Sequence, residues 1–229
     1  MISVIIPTFN EKNNIFKILS KLKKIKIISE IIFVDDDSND GTYNEIIKYK
    51  TKKIKGYLRK SSIKDLSKSV VYGVKKAKSN NIVVMDCDLQ HNPNYIIKMW
   101  KKFNGSEYDI IIANRFCNQK ILGNLGFIRS FVSLFTITLI NFIFGKKTQD
   151  PLSGFFLCKK NILLKFEKSF FLNGYKILFD IIYNGKTNLV IGHQDIKFNK
   201  RKYEKSKFNL RIIVIFLRQL IYTKFFVAK

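Results

Sequence analysis

The chain has 229 residues, 46% of them hydrophobic and 26% charged, with 3 Pro and 11 Gly. That composition excludes a disordered chain, a collagen and a low-complexity linker, and the length suits one domain or one domain with an extension. Lys and Arg number 42 against 17 Asp and Glu, a formal net charge of +25. Such a field attracts nucleic acid, phosphorylated ligands or an anionic membrane face, unless lysine is simply this chain's habitual cation.

The N-terminus, Met1-Ile2-Ser3-Val4-Ile5-Ile6-Pro7, has no basic leader and too short an apolar run for a signal peptide. It reads as a strand over Ile2–Ile6, ended by Pro7. Further apolar, β-branched runs at Glu30–Val34, Asn81–Met85 and Asp109–Ala113 read as strands buried on both faces of a mostly parallel sheet. Between them lie helical stripes: Ile15, Ile18, Leu19 and Leu22; Val70, Val74 and Ala77; Ile96, Ile97, Trp100 and Phe103. Asp40-Gly41-Thr42 opens a helix through Tyr49, and Asn92-Pro93 opens one over Asn94–Phe103. This alternation predicts a doubly wound α/β sheet. The three cysteines, Cys87, Cys117 and Cys158, are odd in number and far apart, which points to a reducing compartment.

Ligands of such sheets sit beyond the carboxyl ends of the strands. Six of the 17 acids fall in two short segments there, Asp35-Asp36-Asp37-Ser38-Asn39-Asp40 and Asp86-Cys87-Asp88-Leu89-Gln90-His91. In extended backbone Asp86 and Asp88 point to one side, with Gln90 next in that parity. Two carboxylates and an amide make an oxygen-rich cup for Mg2+ or Mn2+, with a ligand's phosphates completing the shell. The alternative is a pair of solvated turn acids. Asp40 is expected to cap the following helix. No G-x-G-x-x-G turn is present. Only six of the basic residues are Arg, so an Arg marks a place where a planar, always-charged fork is needed.

Seven segments in order carry a family resemblance: Pro7-Thr8-Phe9-Asn10-Glu11, Val34 to Thr42, Met85 to Pro93, Ala113-Asn114-Arg115-Phe116, Arg129-x-x-x-Ser133, Asp150-Pro151-Leu152-Ser153-Gly154-Phe155, and Arg201 to Lys207. Together they resemble the family 2 glycosyltransferases, and within them the dolichyl- or polyprenyl-phosphate mannosyltransferases. The resemblance implies a GT-A, Rossmann-like fold and inverting transfer of a hexose, mannose from GDP-mannose, to a polyprenyl or dolichyl phosphate. UDP-glucose as donor and a sugar hydroxyl as acceptor are the alternatives. By the same resemblance Pro7, Phe9, Glu11, Val34 and Asp36 hold the base and ribose. Asp86, Asp88 and Gln90 hold the metal on the donor diphosphate, with the Cys87 backbone against the nucleotide. Arg115, Arg129, Ser133, Arg201 and Lys207 gather the donor and acceptor phosphates, and Asp88, Arg115 and Arg201 carry the chemistry. An anionic phosphate acceptor needs no general base, unlike a hydroxyl. A hydroxyl acceptor would need a late carboxylate, for which Asp150 and Asp180 are the residues to consider. Three departures stand out. Glu204 replaces a Gly, Lys64 to Ser69 replaces a glycine-rich stretch, and Cys87 replaces an Ala.

A lipid acceptor implies a membrane surface. The uncharged stretch Ser130–Gly145 is too short to span, and Leu210–Ala228 carries Arg211, Arg218 and Lys224. Read as a helix, the last segment sets Lys207, Arg211, Arg218 and Lys229 beside Ile212, Ile215, Phe216 and Phe226, which suits a helix in the headgroup layer. Packing on the sheet is the other reading, for it and for Phe131–Phe144. The expected organisation is a catalytic domain over 1–209 and an amphipathic helix over 210–229, cytoplasmic and peripheral on an anionic membrane face. A separate small membrane-protein partner is expected. The rival of a nucleic-acid-binding protein rests on charge alone, and no nucleic-acid partner is expected.

Overall fold

The computed structural model describes residues 1–61, 63–115, 127–165, 167–172, 174, 176–185, 188–199 and 210–227, with the backbone only for 127–131 and 210–212. A seven-stranded sheet forms the centre, in the order β3-β2-β1-β4-β6-β5-β7. Its strands are β1 (Ile2–Thr8), β2 (Ile28–Asp35), β3 (Ile54–Leu58), β4 (Asn81–Val84), β5 (Ile110–Asn114), β6 (Phe156–Lys159) and β7 (Ile191–Asp195). All neighbours are parallel except β6, which runs antiparallel to both β4 and β5.

The alternation along β2 shows why these runs are apolar throughout. Ile31 and Phe33 enter one core, while Ile32 and Val34 enter the other. The first core is closed by α1 (Lys12–Leu22), α2 (Thr42–Lys48) and α4 (Tyr95–Phe103). The second is closed by α3 (Leu66–Lys76), α6 (Lys160–Lys165) and α7 (Ile177–Asn184). A Cβ on Gly73 of α3 would lie 2.6 Å from Ile5 Cγ2, so this helix approaches β1 as closely as a glycine allows.

Two expectations about elements are corrected. Strand β1 runs through Pro7 to Thr8. The Ile5 carbonyl accepts from Met85, so the odd positions of β1 face β4, and β4 has ended before Pro7 needs a donor. In α4 the buried face is Ile96, Met99 and Phe103, and Ile97 is exposed. Those three lie at i, i+3 and i+7, about one face of the helix, whereas Ile97 is about 100° away.

Outside this α/β body lies a helical layer. Helices α5 (Phe127–Phe144) and α8 (Leu210–Tyr222) meet α7 in a third core of Ile137, Ile140, Leu152, Phe179 and Leu220. Five residues in π-helical form, Thr223–Val227, extend α8. Among the described residues no helix is long and apolar enough to cross a membrane.

Candidate functional site

One cavity of about 460 Å³ runs between the carboxyl ends of β1 and β4 and the helical layer. Pro7, Phe9 and Glu11 line it after β1, and Asp86, Cys87 and Asp88 line it after β4. Arg115, Ser153, Gly154 and Lys176 form its middle. Its far arm is apolar, walled by Val132, Phe135 and Leu139 of α5 and Ile213, Phe216, Leu217 and Leu220 of α8. Ser133 faces it from α5.

Each acidic segment is organised by its own turn. Asp35 accepts from Thr8 Oγ1 at 3.0 Å and from Ser38 N and Oγ at 2.9 and 2.7 Å. Asp40 accepts from the Thr42 amide at 2.9 Å just ahead of α2, but the N-cap position is Gly41, so Asp40 is not the capping residue expected from the sequence. Asp37 pairs with Lys64 at 2.8 Å. Asp36, almost fully buried, accepts from the Asp65 amide and pairs with Arg59, which reaches back from the end of β3. Burial raises the Asp36 pKa, and the Asp65 amide and Arg59 only partly oppose this. Neither Asp36 nor Val34 lines the cavity; the Val34 side chain is in the second core.

After β4 the chain departs from extended geometry. Leu89 has φ of +62°; the Gln90 amide donates to Asp88 Oδ1 at 3.1 Å, but the turn directs the Gln90 side chain away from the two carboxylates. Gln90 Nε2 donates to the Asn199 carbonyl at 3.2 Å, and the Asn199 amide donates back to the Gln90 carbonyl at 2.9 Å. Gln90 therefore ties β4's loop to the segment after β7 and does not line the cavity. Its place beside the two acids was expected from extended-strand parity, which the left-handed residue breaks.

Asp86 opens into the cavity with its side chain 47% exposed, and His91 Nε2 stands 3.7 Å from its Oδ2. A Cβ on Gly154 would fall 2.2 Å from that oxygen, so the glycine keeps the carboxylate's space open. Burial raises the Asp86 pKa, but His91, Lys176 and Arg115 outweigh it and hold the group below its ordinary value. His91 itself is buried against Phe155 and Phe198. His193 in β7 shares a hydrogen bond with Thr148 Oγ1 at 2.8 Å, away from the cavity wall.

Arg115 and Asp150 form a buried two-pronged pair. Nε donates to Oδ2 at 2.7 Å and Nη2 to Oδ1 at 2.8 Å. Burial lowers the Arg115 pKa, and Asp150, with Asp86 and Asp88, more than reverses this. Ser153 Oγ donates to the Ala113 carbonyl at 2.9 Å, locking the same two segments together. Asp180 is fully buried, and burial pushes its carboxyl up to about 7. Neither Asp150 nor Asp180 lines the cavity. The carboxylates of its described wall are Glu11, Asp86 and Asp88.

The structure thus brings Pro7, Phe9, Glu11, Asp86, Cys87, Asp88, Arg115 and Ser133 to one cavity. Arg201 and Lys207 lie outside the described residues, as do Glu204 and the Arg129 side chain. Sequence reasoning missed Lys176 and the cavity-lining face of α8. A lysine among 36 carries no signal of its own. On α8 Val214, Arg218 and Ile221 face outward and Ile213 and Leu217 are exposed at the cavity's far arm, whereas Ile215 and Phe216 are partly buried. Of the expected apolar face, Ile215 and Phe216 are thus partly buried, Phe216 packing on Phe179 with ring centroids 5.8 Å apart, while Phe226 is exposed and the Ile212 side chain lies outside the described residues.

Residues 3–167 match the profile of Glycosyl transferase family 2. A dolichol-phosphate mannosyltransferase from Pyrococcus furiosus is 34% identical over 226 residues, which span 96% of this chain and 62% of that protein's length. A dolichol-phosphate mannosyltransferase from Saccharomyces cerevisiae is 26% identical over 241 residues, 95% of this chain and 85% of that one. The crystal structure of glucosyl-3-phosphoglycerate synthase from Mycobacterium tuberculosis with Mn2+ and UDP-glucose shares the fold, with a TM-score of 0.72 at 17% identity over 97% of this chain and 77% of that one. The sheet is the GT-A-like sheet of such enzymes, and the chain belongs to glycosyl transferase family 2.

Proposed function

We propose that the protein transfers mannose from GDP-mannose to a polyprenyl or dolichyl phosphate with inversion. The observation that carries this reading is the two-ended cavity, acid-lined where β1 and β4 end and apolar between α5 and α8. A nucleotide sugar and a lipid phosphate need those two chemistries side by side. The names of the relatives support mannose as the sugar moved and dolichyl phosphate as the acceptor.

The acid end fits a divalent cation. Asp86 has an open carboxylate face and Asp88 lies beside it, while no group of three His, Cys, Asp or Glu gathers among the described residues. Two protein oxygens leave room for donor phosphates and water in the shell. Asp86 and Asp88 would hold Mg2+ or Mn2+ on the donor diphosphate; when bound, the ion stabilises charge developing on the leaving group. Pro7, Phe9 and Glu11 line the end where the nucleotide would sit. An acceptor phosphate oxygen attacks the anomeric carbon, and the bond to the diphosphate breaks with its electron pair leaving on GDP. The acceptor is already anionic, so no base is required, in keeping with the placement of both histidines and of Asp150 and Asp180 away from the described wall.

Outward from the cavity, Phe142, Val214, Ile221, Phe225 and Phe226 are exposed on the helical layer, and Phe135 is exposed at the cavity's apolar arm. We assign this layer to the membrane surface that carries the acceptor. The test uses purified protein, dolichyl phosphate in detergent, Mn2+ and labelled GDP-mannose or UDP-glucose, followed by lipid extraction. Label from GDP-mannose is expected in the lipid, and EDTA abolishes it. Absence of labelled lipid with GDP-mannose overturns the reading.

A further inference from the structure

Arg115 and Lys176 are the cations of the described cavity wall. They differ in how their charge is met. Arg115 is matched by Asp150 through two hydrogen bonds. Lys176 has no carboxylate within ion-pair distance among the described residues; its Nζ donates to the Leu152 carbonyl at 3.3 Å. A single neutral carbonyl leaves an ammonium with three donors under-compensated. Burial lowers the Lys176 pKa and the charge of Arg115 lowers it further, while Asp86 and Asp150 pull the other way. An ammonium held below the surface in this state is costly unless an anion joins it.

Its position says which anion. Lys176 immediately precedes α7, with Ile177 of the cavity's apolar side next to it. Gln219 of α8 donates its Nε2 to the Lys176 carbonyl at 3.3 Å. Lys176 is thus fixed to the helix whose neighbouring turns, at Phe216 and Leu220, wall the apolar arm. It stands where the arm meets Asp86. The phosphate of a donor held on Asp86 and Asp88 approaches from the acid side, and a phosphate at the head of an isoprenoid chain arrives from the apolar side.

We propose that Lys176 seats the phosphate monoester of the isoprenoid acceptor at the joint between the cavity's two arms, held there by α8 through Gln219. The inference rests on the reading of the cavity given above, and its test separates the two. Binding of citronellyl phosphate, a short water-soluble prenyl phosphate, is measured by calorimetry with no turnover needed. Binding of GDP with Mn2+ is measured on the same samples. Lys176→Met should weaken citronellyl phosphate binding about tenfold or more, as loss of a charged hydrogen bond implies. Lys176→Arg should recover most of it, and GDP affinity should stay within about twofold in both. Lys176→Gln, which keeps a donor for the Leu152 carbonyl, serves if the Met variant does not fold. Unchanged citronellyl phosphate affinity in a folded Met or Gln variant overturns the proposal. So does an equal loss of GDP affinity, which would place Lys176 on the donor. Wild-type protein that binds citronellyl phosphate through Lys176 yet moves no mannose would sink the function above and leave this site standing.

Discussion

At its acid-lined end the cavity is walled by strand termini, and at its apolar end by helices that lie outside the sheet. The strand ends carry their polar groups in tight local turns. Asp35, Asp40 and Asp88 each accept a backbone amide two or three residues on. The helical end has no such local logic. Its walls come from α5 and α8, about 80 residues apart in sequence; they meet over α7 in the third core, and Lys224, just beyond α8, donates to the Ile143 carbonyl of α5 at 3.5 Å. The contrast teaches that charge in this fold is placed by the sheet, whereas lipid-compatible surface is placed by long-range packing. Damage at the first end should therefore appear as lost chemistry with the fold intact. Damage at the second should appear as changed stability or surface affinity.

The largest effect is expected at Asp88. Asp88→Asn keeps the shape of the side chain and removes a charge from the proposed cation site. If the ion contributes several kcal/mol to the transition state, turnover falls by on the order of 100-fold or more. Transfer of label to lipid and a circular dichroism melt, taken together, check this. Turnover near wild type would move the cation elsewhere.

Next comes Asp150, which links the two ends through Arg115. Asp150→Asn leaves a buried guanidinium without its counter-charge, and breaking such a pair costs about 3 kcal/mol or more. The urea midpoint should drop accordingly. A midpoint within error of wild type would mean that Arg115 finds another partner at no cost.

The same contrast governs what could be read from sequence. Strands β1, β2, β4 and β5 are covered on both faces, so their runs are apolar throughout and legible. Strand β3, Ile-Lys-Gly-Tyr-Leu, and strand β7, Ile-Gly-His-Gln-Asp, are sheet edges with partly open residues and show no such run. Strand β6, Phe156–Lys159, is too short to stand out. The pair Asp86 and Asp88 was legible because a D-x-D at a strand end is a local pattern. Gln90 was placed by parity and misplaced, since a left-handed Leu89 is invisible in a period-two argument. Lys176 and the inward face of α8 depend on tertiary contacts with Leu152 and Phe179, which no local pattern encodes.

A smaller effect, specific in its pH dependence, is expected at Asp180 beneath α8. The unfolded chain releases this proton near the ordinary carboxylate value of about 4, and the folded chain holds it to about 7. Between those values the unfolded state binds fewer protons, so this group's contribution to stability falls as pH rises and stays low above 7. Asp180→Asn removes the charge while resembling the protonated form in shape. The variant should melt above wild type at pH 8, by about 2–4 °C for each kcal/mol, and the gap should close at pH 4. A gap of the same size at both pH values would trace the effect to packing and not to ionisation.

The smallest effect is expected at the surface of α8, where charge and apolar area can be separated. Arg218 is exposed with Val214 and Ile221 on the outward face. A cation near an anionic membrane contributes about 1 kcal/mol, so Arg218→Gln should weaken binding to anionic vesicles about fivefold at low salt. At about 1 M salt the screening length falls to about 3 Å, and the difference between Arg218→Gln and wild type should vanish. Ile221→Ser removes half-exposed apolar area and should lose roughly 1 kcal/mol on neutral and anionic vesicles alike, with little response to salt. Sedimentation with vesicles of both compositions at two salt concentrations reads all four numbers. If Ile221→Ser binds as wild type does, the outward face of α8 does not enter the membrane. The lipid-facing surface would then be confined to α5, whose Phe142 is 88% exposed, and to Phe225 and Phe226 beyond α8.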